Sequence, residues 1–163
     1  MKRIAFVNVA LLLAVTAGCG YVNKSLLPGD IKSVRVDVFE NQTLRPDLEL
    51  TVSKAVIDEL LSSTRLKVTD DNPDSVLKGT LTATPREAFI ENRYGVVTTG
   101  YVSLEVALKW TDTRTDRAIP LRRKVVKARA YYNVGRGENF SAAVQKAAEL
   151  LAKKVVGAME EEW

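Results

Sequence analysis

The sequence predicts an α+β fold, a two-layer sandwich with two helices packed on one face of a mostly antiparallel sheet of about four strands. Two segments repeat apolar residues at helical spacing, and several others alternate apolar with polar residues. Two amphipathic helices can cover only one face of such a sheet. The alternation leaves the other face in water, which antiparallel sheets tolerate.

The first strand is predicted over Ile31–Phe39, because apolar and polar residues alternate there. Its inward positions are predicted to be Val34, Val36 and Val38. The polar run 40–43 then ends the alternation.

The first helix is predicted over Pro46–Ser62. Proline suits the first helical position, and acidic residues in the first turn favour the positive end of the helix dipole. The inward residues recur at three- and four-residue steps: Leu48, Val52, Ala55, Val56 and Leu60. A short strand, Arg65–Thr69, and a polar loop, Asp70–Asp74, are expected next.

Three longer strands are predicted to follow. The first, Ser75–Glu91, is interrupted by Pro85, which marks an edge or a bulge. The second, Thr98–Thr111, has the clearest alternation, and a polar turn at 112–117 separates it from the third, Ile119–Tyr132. The predicted inward residues of these two are Val102, Leu104, Val106, Leu108, Trp110, Val126, Ala128, Ala130 and Tyr132.

The last element is predicted to be a helix over Asn139–Glu162. One apolar stripe runs along it: Phe140, Val144, Ala147, Ala148, Leu151, Val155 and Met159. We expect residues 31–163 to form a single domain.

The N-terminus has the layout of a secretory signal peptide. Two cations precede the apolar run Ile4–Val15, which is too short to span a membrane and closes on Thr16-Ala-Gly-Cys19. This ending resembles the lipobox of bacterial lipoproteins, although Thr16 stands where leucine is usual. The resemblance implies a signal peptide over 1–18, lipid on Cys19 and a short tether over 19–30. The alternative is an ordinary cleavable signal with a chance cysteine. In lipoproteins that resemble this chain, an aspartate directly after the cysteine favours retention at the inner membrane. The resemblance therefore implies that Gly20 directs the chain to the outer membrane.

Composition excludes several classes of function. Removal of residues 1–18 would leave 22 Lys and Arg against 20 Asp and Glu, because only Lys2 and Arg3 are lost. This near balance argues against nucleic acid as a partner. The chain has no histidine and one cysteine, and it lacks nucleophile and phosphate-binding motifs. We therefore expect neither an enzyme nor a cofactor or metal site. Paired carboxylates at Asp70-Asp71 and Glu160–Glu162 are better interpreted as a loop and a helix end.

Cations collect on the predicted open face of the sheet. They are Arg35, Lys78, Lys109, Arg123, Lys127 and Arg129, relieved mainly by Glu105. Such a surplus of one sign attracts phosphate or other anions, although a solvated sheet face is often charged in any case. Two loops add Arg93, beside Tyr94, and Arg136, between two glycines. Loops that are held by a sheet often carry binding function. The simpler interpretation is that their glycines supply the backbone angles that a turn needs.

The placed elements resemble the LptE family of lipopolysaccharide-assembly lipoproteins. The likeness is carried by Ala17-Gly-Cys-Gly-Tyr21, by Leu27-Pro28 and Phe39-Glu-Asn-Gln-Thr43, by Pro46-Asp-Leu-Glu49 and Ser75-Val-Leu-Lys-Gly-Thr-Leu81, and by the Ala-rich helix after Tyr131-Tyr132 that ends in Glu-Glu-Trp163. It extends over nearly all of 17–163 as a pattern of individually weak positions.

The resemblance implies an outer-membrane lipoprotein, facing the periplasm or lying inside a barrel lumen. Its partners would be the LptD β-barrel, which it plugs and helps to assemble, and lipopolysaccharide. The family's basic loop residues are matched best by Arg93 and Arg136. Two alternatives stay open: an adaptor of another envelope machine, such as a peptidoglycan-synthase activator, and a cell-wall hydrolase. The short tether argues against the adaptor, and the absence of histidine argues against the hydrolase.

Overall fold

The computed structural model describes residues 27–28, 30–82, 88–91, 93 and 97–160. The predicted signal peptide and Cys19 lie outside the described residues. The elements are β1 (Ser33–Val36), β2 (Glu40–Asn41), α1 (Leu48–Ser63), β3 (Lys67–Val68), β4 (Ser75–Leu81), β5 (Ala88–Glu91), β6 (Val97–Asp112), β7 (Val125–Asn133) and α2 (Phe140–Met159). A 3₁₀ turn, Val134–Arg136, joins β7 to α2.

The sheet is mixed, which corrects the prediction of about four mostly antiparallel strands. β1 pairs in parallel with β3 and β4, and β2 pairs in parallel with β4. β6 pairs antiparallel with β4, β5 and β7. The seven segments fill five positions in the order β3, β1 with β2, β4 with β5, β6, and β7. The parallel pairing arises because α1 carries the chain back to the end of the sheet where β1 starts.

A bulge separates β1 from β2 and overturns one predicted core position. Val36 pairs with Leu77 and Glu40 with Thr80, so four steps along this strand match three along β4. The extra residue reverses the inward–outward alternation. Val38 is consequently 62% exposed, whereas Phe39 is 2% exposed and occupies the core. The prediction that Val38 faces inward was wrong for this reason.

β4 and β5 follow one another along the same edge of β6, as an interrupted strand would. Leu81 pairs with Val106 and Ala88 with Tyr101, so seven steps of one strand match five of β6. This register shift confirms the predicted interruption, and Pro85 itself lies outside the described residues. β7 pairs with the opposite edge of β6, because both β5 and β7 pair with residues 99–101.

The two helices and β6 confirm their predictions closely. α1 buries all five predicted residues, and β6 buries all five of its inward residues. α2 begins after Asn139, whose side-chain oxygen accepts a hydrogen bond from the N–H of Ala142 at 2.9 Å. Its stripe is buried from Ala147 to Met159, with Phe140 and Val144 partly buried.

The third long strand is shorter than predicted, because β7 begins at Val125 rather than Ile119. Pro120 supplies no N–H for a ladder. The Arg122 N–H instead donates to the carbonyl of Ala158 in α2 at 2.8 Å. The segment before β7 is therefore bonded to α2. Its described residues pair with β6 through an isolated bridge between Ala118 and Thr111.

The core is one layer between the helices and the covered face of the sheet. Trp110, Phe39 and Leu104 are among its largest fully buried side chains. Odd-numbered residues of β6 and β7 lie on the opposite, open face, where burial is lower. This rigid open face, and the loops at its ends, position the candidate site.

Candidate functional site

We define the cationic sheet face by five described residues on the open side of the sheet: Arg35, Lys78, Lys109, Lys127 and Arg129. Each comes from a strand position whose neighbours point into the core. Cross-strand register sets Lys109 directly opposite Lys78, and Lys127 opposite Glu105. Two of the five cations, Lys78 and Lys109, are therefore direct cross-strand neighbours, whereas Lys127 faces a carboxylate.

Two carboxylates form ion pairs with the cations of this face. Glu105, which was predicted to relieve these cations, pairs with Lys127 (Oε2 to Nζ, 2.8 Å). Asp37, in the bulge, pairs with Arg35 (Oδ1 to Nε, 2.8 Å) and with Lys78 (Oδ2 to Nζ, 3.5 Å). Alternation along the strand already puts Asp37 on the face of Arg35, although Glu105 was predicted to be the main counter-charge. Lys109 has no ion pair with any described residue, so the face keeps a positive surplus.

Arg129 is held between two tyrosines. Its guanidinium carbon lies 4.5 Å from the centroid of the Tyr101 ring, and the rings of Tyr101 and Tyr131 are 5.8 Å apart. A side-chain hydrogen bond with Tyr131 raises the pKa of Arg129 above its ordinary value. Arg129 is therefore a permanent, pre-oriented cation. Tyr131 is exposed, whereas Tyr132 is buried, which confirms the predicted inward position of Tyr132.

Arg93 and Arg136 lie in loops at the same end of the sheet. Glu91 pairs with Val97 and Asn133 with Thr99, so both loops leave the sheet beside the start of β6. Both arginines are exposed. The Arg136 N–H donates to the side-chain oxygen of Asn133 at 3.1 Å, which closes the 3₁₀ turn. The two loop cations predicted from sequence are thus brought to one end, close to the Tyr101–Tyr131 pair.

Arg123 does not belong to the cationic sheet face, which corrects that part of the prediction. It precedes β7 and lines a groove of about 500 Å³ between β7 and the last turns of α2. The other lining residues are Arg122, Val125, Val126, Lys127, Lys154, Gly157 and Ala158. The predicted cations therefore divide between the open face, the loop end and this groove.

The described residues contain no group of His, Cys, Asp or Glu that could hold a metal ion. Asp70 and Asp71 lie exposed in the loop before β4, as predicted, and Glu160 ends α2. Within the same residues, no helix is long and apolar enough to cross a membrane.

Comparison with known proteins identifies the family. The family model for LptE, described as lipopolysaccharide-assembly, matches residues 31–159. No curated protein matches the chain.

Several solved structures share the fold at low sequence identity. A putative lipoprotein from Caulobacter crescentus is 11% identical with a TM-score of 0.55, covering 85% of this chain and 92% of that one. Uncharacterized lipoprotein B from Nitrosomonas europaea is 10% identical with a TM-score of 0.55, covering 85% and 88%. The PelC dodecamer from Paraburkholderia phytofirmans is 13% identical with a TM-score of 0.51, covering 83% and 93%. These likenesses show the fold, and the match over 31–159 shows that the chain belongs to the LptE lipopolysaccharide-assembly family.

Proposed function

We propose that this protein is a non-enzymatic outer-membrane lipoprotein that plugs an LptD-type β-barrel, assists its assembly and contacts lipopolysaccharide on its way to the outer leaflet. Membership of the LptE family carries the proposal. Two structural neighbours that are themselves lipoproteins agree with an anchor at Cys19. The anchor and the short tether would keep the domain beside the outer membrane.

The cations at the loop end suit a phosphorylated glycolipid. Arg93 and Arg136 would form charge-assisted hydrogen bonds with lipid A or core phosphates. Arg129 would add a cation that lies over the Tyr101 ring. Because the sheet orders this side chain before binding, less conformational entropy is lost than for a mobile lysine. Lys109, Lys127 and the neighbouring Lys78 would extend the attraction along the cationic sheet face.

Exposed apolar side chains would supply the contact with the barrel. Leu44 is 91% exposed, and Leu50 and Leu61 on α1 are also exposed. The two helical leucines are separated by three turns, so they lie on one side of α1. Apolar anchors of this kind contribute most of the binding energy of a protein interface once they are buried.

The barrel partnership is tested by purification from solubilised outer membranes. The proposal predicts that an affinity-tagged chain is recovered with a large β-barrel protein. Substitution of Leu50 and Leu61 by serine is expected to reduce that recovery, whereas Ser62→Ala, on the exposed end of α1, is not. Recovery of the wild-type chain without any barrel would overturn the proposal.

Lipopolysaccharide contact is tested by charge reversal at the loop end. Arg93→Glu combined with Arg136→Glu is expected to weaken lipopolysaccharide binding at least about tenfold, with an unchanged melting temperature. The matched control is Arg65→Glu with Lys67→Glu, which changes the net charge equally at the far edge of the sheet. Equal binding by both double variants in low salt would refute the loop assignment.

The absence of catalysis and the alternative roles are tested separately. Turnover of purified peptidoglycan by the chain would support a cell-wall hydrolase instead. Co-purification with a peptidoglycan synthase in place of a barrel would support an adaptor role.

A further inference from the structure

The outer edge of β7 carries backbone groups that β6 does not use. The N–H of Leu108 donates to the carbonyl of Lys124 at 2.7 Å, so Lys124 directs its backbone groups toward β6. This direction alternates from residue to residue in an antiparallel pair. Even-numbered residues of β7 therefore bond to β6, and odd-numbered residues point their N–H and C=O groups away from it.

Two contacts cover parts of this edge and confirm the alternation. At its end, the N–H of Asn133 donates to the carboxylate of Glu138 at 2.7 Å. Near its start, the ammonium of Lys154 donates to the carbonyl of Lys127 at 2.6 Å. Among the described residues, no strand pairs with the outer edge. Val125, Lys127 and Arg129 therefore present outward N–H groups.

The groove of about 500 Å³ borders the start of this edge, between β7 and α2. We call it the β7–α2 groove. Its cations include Arg123 and Lys154, and none of the described residues that line it is acidic. The helix contributes small residues, and a Cβ built on Gly157 would meet no atom within 4 Å. The space is therefore open, cationic and bordered by an unfilled strand edge.

We propose that the β7–α2 groove binds an extended acidic peptide segment of a partner protein, which adds a strand to the outer edge of β7. The peptide backbone pairs with the outward groups of Val125, Lys127 and Arg129, as in other cases of strand addition. Acidic side chains at alternate positions meet Arg123 and Lys154. The Lys127 carbonyl exchanges the Lys154 ammonium for a peptide N–H, and that ammonium then binds a carboxylate.

A peptide accounts for the groove better than a phosphate group does. Phosphate would use the cations but would leave the strand edge and the apolar wall of Val125 and Val126 without partners. The site is also separate from Arg93 and Arg136. Its test therefore does not depend on the proposed contact with lipopolysaccharide.

The experiment uses the full-length chain in non-ionic detergent and a fluorescent octapeptide of alternating glutamate and valine. We expect saturable binding, measured by anisotropy. Amide hydrogen exchange, measured by NMR, is expected to slow at Val125, Lys127 and Arg129 and to stay unchanged at Val126 and Ala128. The same peptide with alternate N-methylated amides keeps its charge and is expected to bind at least about tenfold more weakly.

Three variants locate the peptide. Arg123→Ala with Lys154→Ala is expected to weaken binding about tenfold. Gly157→Leu fills the groove and is expected to abolish binding, whereas Gly157→Ala leaves room and is the matched control. Thermal melting followed by circular dichroism verifies that each variant folds.

The absence of peptide binding, equal binding of the N-methylated peptide, or unchanged exchange at the odd-numbered amides would each overturn the proposal. Displacement of the peptide by inorganic phosphate, as effective as displacement by unlabelled peptide, would assign the groove to a phosphate ligand. If the chain binds phosphatidylglycerol vesicles more tightly than the peptide, and Gly157→Leu does not weaken that binding, the cations of the groove would be assigned to a membrane surface.

Discussion

Asp74 fastens the start of β1 to the start of β4 with one carboxylate. Its Oδ2 accepts hydrogen bonds from the N–H of Lys32, the N–H of Ser33 and the hydroxyl of Ser33, each at 3.0 Å. The N–H of Asp74 donates back to the Ser33 hydroxyl at 2.9 Å. The hydrogen bond from Lys32 is the largest cause that lowers the pKa of Asp74. Sequence reasoning placed this residue in a loop and missed its role.

The first prediction concerns acid stability. A folded-state pKa below the unfolded value means that the ionised carboxylate stabilises the fold above about pH 4, and that this contribution is lost as pH falls further. Asp74→Asn is therefore expected to have a lower urea midpoint than wild type at pH 7. The difference between the two midpoints is expected to be smaller near pH 3. Asp71→Asn is the control, because the Asp71 carboxylate bonds to no described residue. An equal difference between the urea midpoints of wild type and Asp74→Asn at both pH values would contradict this role.

Gly79 lies directly against the ring of Phe39. A Cβ built there would lie 2.6 Å from two carbons of the Phe39 ring, which is itself buried and cannot move aside cheaply. Glycine lets the ring pack directly on the sheet backbone.

The second prediction follows from this contact. Gly79→Ala is expected to destabilise the protein by about 1–3 kcal/mol through overpacking, measured by urea unfolding. Gly157→Ala, in open space on α2, is expected to stabilise it by up to about 1 kcal/mol. Combining Gly79→Ala with Phe39→Leu should recover part of the loss. A neutral Gly79→Ala would show that the ring does not rest on this glycine.

At the scale of the element, the bulge between β1 and β2 decides which side chains enter the core. The predicted strand 31–39 kept one alternation, whereas the structure inserts one residue between Val36 and Glu40. Asp37, within the bulge, pairs with Arg35 and Lys78 on the open face. The local change of register thereby supplies a core anchor, Phe39, in place of Val38.

The third prediction tests that register. Phe39→Ala is expected to cost about 3–5 kcal/mol, because it leaves a cavity in the core. Val38→Ala is expected to change the free energy of unfolding by less than about 0.5 kcal/mol, since Val38 is exposed. An uninterrupted strand would reverse the order of the two losses. Urea unfolding of both variants distinguishes the two registers.

At the scale of the whole molecule, the residues that hold the fold are separate from the residues that we propose to bind ligands. The helices and the covered face hold the core, and the open face, the loop end and the β7–α2 groove carry the cations. Charge changes on the second set are expected to affect binding with little effect on folding, because exposed ion pairs contribute at most about 1 kcal/mol.

The fourth prediction concerns the anchor. If Cys19 is lipidated, the mature N-terminus begins at this residue and mass spectrometry finds it modified by acyl chains. Cys19→Ser is then expected to move the chain from the outer-membrane fraction to the soluble periplasmic fraction. An unmodified N-terminus at another residue would indicate an ordinary signal peptide.

The sequence by itself determined the helices, β6 and the family, because periodic burial and resemblance are local properties that can be read along the chain. It also identified Arg93 and Arg136 as loop cations. Only the tertiary structure decided the parallel pairing of β1, the bulge that exchanges Val38 for Phe39, and the separation of Arg123 from the cationic sheet face. These features depend on contacts between residues that are distant in sequence. A one-residue shift in register reverses every inward position without altering the pattern that predicts a strand.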